Sequence, residues 1–378
     1  MPRPRNYRVI SLLAILFLAA LILLLFEHRP SFLRPGLRLN AYVTTADGSL
    51  TVVDLVNLHA IARVPIAPDV SGVREHPARP EIWGVSTSGG FVWILDTRSN
   101  QIVARIPIGP VPYAIDFSPD GTRAYVTTSG NNTVLAVDCR TRSILGSAKA
   151  GREPVLARVT PDGKTLVVAN RGDNTISIHD ATTLALRATV PVVTRPEDIA
   201  ILGDNSVAFV RGSSEARISV VDLHRGVLLT HLLLAGRPSQ MLLKPDGGEL
   251  YVISPEAHGL QVINTASHEV GDFMELGSAP TRAVLSADAS LMYVSDTAAN
   301  RIIPVDIVDR RLDRDPSKGF PVPAGQSPTA LRFDPEENLL LAVDQGSGDI
   351  AVIRVRTNFL VTMIPVGPHP SDLAVKLF

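Results

Sequence analysis

The chain has 378 residues, 45% of them hydrophobic and 19% charged, which is enough apolar material for a large core and excludes both a disordered polymer and a small disulfide scaffold. Its formal net charge is −1 and no long run of one sign occurs, so the counterion release that drives nucleic-acid binding has no source, and nucleic acid is not an expected partner. The single Cys139 excludes an internal disulfide and a multi-cysteine metal centre.

The first expected element is a membrane span. Residues 9–26 (VISLLAILFLAALILLLF) carry no charge and only Ser11 as a polar interruption. At a helical rise of ~1.5 Å per residue they reach ~27 Å, close to the hydrocarbon thickness of a bilayer. Arg3, Arg5 and Arg8 precede the span, which orients the N-terminus inside and exports the residues C-terminal to it. The exit, Leu24-Leu25-Phe26-Glu27-His28, lacks the small residues of a signal-peptidase site and a cysteine for lipidation, favouring a retained anchor over a cleaved signal. The expected order is a cytoplasmic segment 1–8, a single span 9–26 in the cytoplasmic membrane, a linker 27–39, and a domain 40–378 in the periplasm or extracellular space.

That domain is periodic. Asp54, Asp96, Asp138, Asp180, Asp222, Asn264 and Asp306 follow one another at 42-residue steps, each ending a short apolar run. Pro112, Pro154, Pro196, Pro238 and Pro280 keep the same step, then jump 48 residues to Pro328 and return to 42 at Pro370. Six extra residues therefore lie between Asp306 and Pro328, and the charged stretch RRLDRDPSKG at 310–319 is the expected insertion. Asp120, Asp162, Asp204, Asp246 and Asp288 form a third column, three of them within Pro-Asp-Gly turns, where Pro presets φ and Gly supplies the left-handed backbone. Trp83, Tyr125, Val167, Phe209, Tyr251, Tyr293 and Leu341 form a fourth column inside β-favouring runs.

Each unit thus holds four short strands, and radial repetition of such units is a propeller, with a solenoid as the alternative. Eight second-to-third strand pairs predict eight blades, or seven if the stretch 70–95, with Pro77 and Pro80 at the turn, forms no blade. Residues 371–378 (SDLAVKLF) repeat a first strand with no later strands to follow, so they are expected to close the ring onto residues 41–66 and remove the exposed sheet edges.

Tyr-Val-Thr-Thr at 42–45 and 125–128, with the Pro-Asp-Gly turns and strand-ending aspartates, resembles the YVTN-family β-propeller repeat over nearly all of residues 40–378. The resemblance implies surface-layer or periplasmic proteins, many with no assigned activity. Related propellers include lactonase-like enzymes, the non-catalytic subunit of quinoprotein amine dehydrogenases and the eight-bladed haem-binding domain of dissimilatory nitrite reductases. A propeller fold does not by itself fix a function.

Residues two and four places after the proline column are expected to line the central channel. The first set is Gly72, Ala114, Leu156, Asp198, Gln240, Arg282, Ala330 and Asp372; the second is Arg74, Asp116, Arg158, Ala200, Leu242, Val284, Arg332 and Ala374. Their charges must pair with one another or face water. Arginine outnumbers aspartate in this ring, so the expected ligand is a small anion or a loop of an envelope protein. His76 and His369 are the histidines placed to approach the mouth, while the others do not converge, so neither metal nor cofactor is expected. No G-x-S-x-G elbow, H-E-x-x-H or phosphate loop is present, and no catalytic residue is assigned. Glu75, His76, Glu197 and Asp198 are the seeds of a hydrolase alternative. Residues 254–259, 211–217 and 310–319 are the expected partner-contact loops because they depart from the repeat.

Overall fold

The computed structural model describes residues 38–315 and 318–378, so the expected span at 9–26 lies outside the described residues. Among the described residues no helix is long and apolar enough to cross a membrane.

Residues 39–378 form one compact unit of eight antiparallel sheets. Blades two to six and blade eight each run first strand to fourth in chain order, as in blade three: Pro112–Phe117, Arg123–Thr128, Thr133–Asp138 and Ser143–Lys149. Blade one is composite. Leu39–Thr44, Ser49–Asp54 and His59–Pro65 supply its outer three strands, and Asp372–Leu377 supplies the innermost, pairing Ala41 with Val375 and Thr44 with Asp372. The closure expected from residues 371–378 is therefore present. The eight first strands touch in sequence around the bore, and Pro328–Phe333 meets Asp372–Leu377 to complete the circle.

The stretch 70–95 forms a full blade, with Val70–Glu75, Glu81–Ser86 and Phe91–Asp96 as its first three strands, which settles the count at eight. Gly72 takes a φ of 60° where the first strand slips register against the second, between Ser71 and Arg74. The insertion lies in blade seven. There the fourth strand is split into Arg311–Leu312 and Val322–Pro323, both paired with Arg301–Asp306, so the extra residues leave the outer edge as a loop. The segments 254–259 and 211–217 keep the length of the other second-to-third turns; they differ in residue type, not in chain length.

The hydrophobic core sits between blades, one apolar cluster at each of the eight interfaces. The aromatic column fills it: Trp83, Tyr125, Phe209, Tyr251 and Tyr293 are essentially inaccessible. Two of these also clamp the next blade, Tyr125 Oη donating to the Ala181 carbonyl at 2.7 Å and Tyr293 Oη to the Val355 carbonyl at 3.2 Å.

The recurring aspartates are turn caps. Asp138 Oδ1 accepts from the amides of Arg140 and Thr141, and Asp180 Oδ1 from Thr182 and Thr183. Asp120 Oδ1 accepts from the Thr122 amide and the Ser118 hydroxyl, and the hydroxyl bond is the main reason its carboxyl titrates below the usual range. These bonds stabilise the charged form and leave it no chemistry to perform.

Candidate functional site

The inner strands enclose a cavity of about 690 Å³ that opens where they begin. Every residue two places after the proline column lines it except Asp198, whose neighbour Glu197 takes the place; of the deeper set, Arg74 and Arg332 reach it. The rest of the deeper set does not line this cavity.

Most of the mouth charges are paired. Arg74 Nη1 lies 3.5 Å from Asp372 Oδ2, Arg158 Nη1 3.5 Å from Asp116 Oδ1, and Arg332 Nη1 3.9 Å from Glu75 Oε1. Arg332 also donates to the Leu373 carbonyl at 3.3 Å. Gln240 is occupied as a clip between blades six and seven: its Oε1 accepts from the Ala283 amide at 2.7 Å and its Nε2 donates to the Ala283 carbonyl at 3.1 Å.

Blades four and five add a chain of ion pairs. Glu153 meets Arg171 at 3.4 Å, Arg171 meets Glu197 at 3.9 Å, Glu197 meets Arg211 at 4.0 Å, and Arg211 Nε meets Asp198 Oδ2 at 3.5 Å. Arg171 also lies over the Tyr113 ring, 5.3 Å from its centroid. Arg171 and Arg211 project from outside the first strands, so a search confined to those strands misses them. The signal lies in the columns: Arg211 stands where the other blades have Thr44, Val85, Thr127, Ala169, Ile253, Ser295 and Val343.

Arg282 differs from the rest. Nη1 donates to the Ser239 carbonyl at 2.6 Å, and among the described residues the guanidinium makes no ion pair with a carboxylate. Its side chain is exposed to the bore yet has protein around it. That crowding, and after it the nearby Arg211, lowers its pKa, while Asp198, Asp372 and Glu197 act in the opposite sense. An arginine so placed remains a cation at neutral pH.

The two histidines expected near the mouth fare differently. His76 is buried at the far end of its strand, where Nδ1 accepts from the amides of Ala78 and Arg79 at 3.1 and 3.0 Å. It stands in the column of Ser118, Thr160 and Ser286 and does the same work of capping the first-to-second turn. Phe117 and Trp83 pack against its ring at centroid distances of 5.0 and 6.1 Å, and burial lowers its pKa. The expectation that His76 approaches the mouth is therefore corrected: a side chain tied to its own turn cannot reach the bore. His369 is exposed on the loop leading into the closing strand.

Among the described residues no group of three or more histidine, cysteine, aspartate or glutamate side chains is arranged to hold a metal ion. The Cys139 thiol is buried, and burial pushes it up to about 12, which disfavours the thiolate.

Residues 91–290 match the sequence profile of the YNCE-like β-propeller family, more than half of the chain. The chain belongs to that family. No curated protein matches the sequence. Among solved structures, this YNCE-like propeller superposes on the dihydro-haem d1 dehydrogenase NirN in complex with DHE with a TM-score of 0.73 at 17% identity, covering 92% of this chain and 77% of that one. Kuenenia stuttgartiensis hydrazine synthase gives a TM-score of 0.60 at 19% identity, over 77% of this chain and 96% of that one. A protein of unknown function from Desulfotomaculum acetoxidans DSM 771 gives 0.60 at 16% identity, over 77% and 97%. At these identities the likeness is one of fold.

Proposed function

We propose that this YNCE-like propeller is a non-catalytic binding module, anchored in the cytoplasmic membrane by residues 9–26 and exported beyond it, whose channel mouth takes a small anionic ligand or the acidic side chain of an envelope partner. The observation that carries the reading is Arg282. Asp372 and Glu197 at the mouth, and Asp116, Glu75 and Asp198 near it, are each matched by an arginine, so that among the described residues the Arg282 guanidinium lines the cavity with a carbonyl and no carboxylate as its partner. A carboxylate or phosphate oxygen bound there gains charge-assisted hydrogen bonds in a bore where water screens poorly.

Gln240, held at both ends by Ala283, fixes the strand beside Arg282 and so pre-orients the guanidinium wall. Native mass spectrometry of the full chain purified from its own membrane tests the reading. A bound small acid is expected in the wild type and lost in Arg282→Gln. A visible absorption band in the purified protein would favour the haem-binding alternative, and turnover of a lactone panel the hydrolase alternative.

A further inference from the structure

Blades seven and eight each place a fully buried carboxylate at the last residue of the second strand, Asp296 and Asp344. The two are satisfied very differently. Asp296 accepts from the amides of Ser278 and Ala279 at 3.1 and 2.9 Å, and Arg301, directly opposite on the third strand, brings Nε and Nη2 to 3.0 and 2.9 Å.

In blade eight the residue opposite Asp344 is Asp349, so a second carboxylate stands where blade seven has a guanidinium. The loop amides are also engaged elsewhere: Gln326 N donates to Ser347 Oγ and Ser327 N to Asn300 Oδ1, both at 2.9 Å. The Gly325 and Ala351 amides lie near Asp344, but among the described residues neither of its buried carboxylate oxygens completes a hydrogen bond. An unpartnered buried carboxylate facing another carboxylate is costly unless a positive charge or a proton sits between them.

We infer that Asp344 and Asp349 bind a hard divalent cation, best matched by calcium, in the position that the Arg301 guanidinium holds in the neighbouring blade. Arg301 neutralises one carboxylate; a dication neutralises two. The donors are all oxygen, since the Ser347 hydroxyl lies 3.2 Å from Asp349 Oδ1 and adds a third. Calcium accepts irregular oxygen sets completed by water, whereas magnesium demands a near-ideal octahedron. Asp349 is half-buried and gives the ion a way in. Gly325 packs closely against the pair: a Cβ there would fall 2.7 Å from Asp349 Oδ1 and from Asp344 Cβ, so only glycine allows the backbone this near.

The test is calorimetric titration of the EDTA-treated full chain with calcium chloride, alongside its unfolding temperature. The expected result is one calcium per chain and a rise of about 2 °C or more at saturation. Asp349→Arg, which copies blade seven, is expected to fold, to bind no calcium and to show no rise. Asp344→Asn is expected to fold and lose the response, because Asn170 fills the same column position in blade four, accepting from the Gly151 amide and donating to Thr175 Oγ1. Absence of calcium heat in the wild type would overturn the site and leave a shared proton between the carboxyls. Equal calcium responses in the wild type and Asp349→Arg would overturn it as well, by placing the ion elsewhere.

Discussion

Lys376 Nζ donates to the His76 carbonyl at 2.6 Å, tying the strand that completes blade one to the first turn of blade two across 300 positions of sequence. The same strand buries Leu373, Ala374 and Val375 against blades eight, one and two. Removal of residues 371–378 would expose the edge of Leu39–Thr44 and forfeit about 1.5–3 kcal/mol for each of Leu373 and Val375. The expected outcome is a chain that melts at much lower temperature and scatters light, read by thermal unfolding with static scattering.

Tyr125→Phe isolates one clamp between blades. The ring stays in the interface while the Ala181 carbonyl loses its shorter bond and keeps Arg123 Nη1 at 3.4 Å, at a cost of about 1 kcal/mol. Chemical denaturation should show a lower midpoint with an unchanged slope, since blade packing is retained.

Acid should destabilise the propeller earlier than its carboxylates alone would. His76 and His179 are buried, and His179 is bonded to the Leu184 carbonyl and the Ser177 hydroxyl. Burial lowers both pKa values below 6.5. The neutral rings are favoured in the folded state, so their contribution is complete above about pH 6.5 and is lost as pH falls below it. Denaturation midpoints between pH 7.5 and 5 should decline, and His76→Asn, which keeps an acceptor for the turn amides, should flatten part of that decline.

Arg211→Val replaces the departing residue with the one that blades two and eight carry in that column. The fold should lose about 3 kcal/mol, because Arg211 is buried and its removal strips Asp198 and Glu197 of a partner. Ligand affinity should also fall: Asp198 and Glu197, left without Arg211, become partners for Arg282 and compete with the anion. Comparing the unfolding temperature of Arg211→Val with its binding isotherm separates the two effects.

The fold was legible because its determinants recur. The turn-capping aspartates, the aromatic column and the closing segment each repeat at a fixed step, and local turn chemistry dictates all but the last. Departures from the repeat were harder to place. His76 looks divergent when only the inner strand is considered, yet it occupies the turn-cap column one residue past that strand. Arg211 and Arg171 were invisible from the first strands because their reach depends on how neighbouring blades converge. Gln240 was placed on the channel wall by its column, and its two bonds to Ala283 arise only from contact between blades. The opposition of Asp344 and Asp349, which differs from Asp296 and Arg301 by one residue, acquires meaning only once strand register is known.

Isothermal titration of the full chain with citrate and with inorganic phosphate, in the wild type, Arg282→Gln and Arg332→Gln, addresses the mouth most directly. Loss of a charge-assisted contact corresponds to a weakening of about tenfold or more. The expected result is such a loss in Arg282→Gln for at least one probe, with Arg332→Gln, whose arginine is already committed to Glu75 and Leu373, close to the wild type. Equal affinities in all three proteins, or no binding of either anion to the wild type, would contradict the assignment of Arg282 as the ligand's cation.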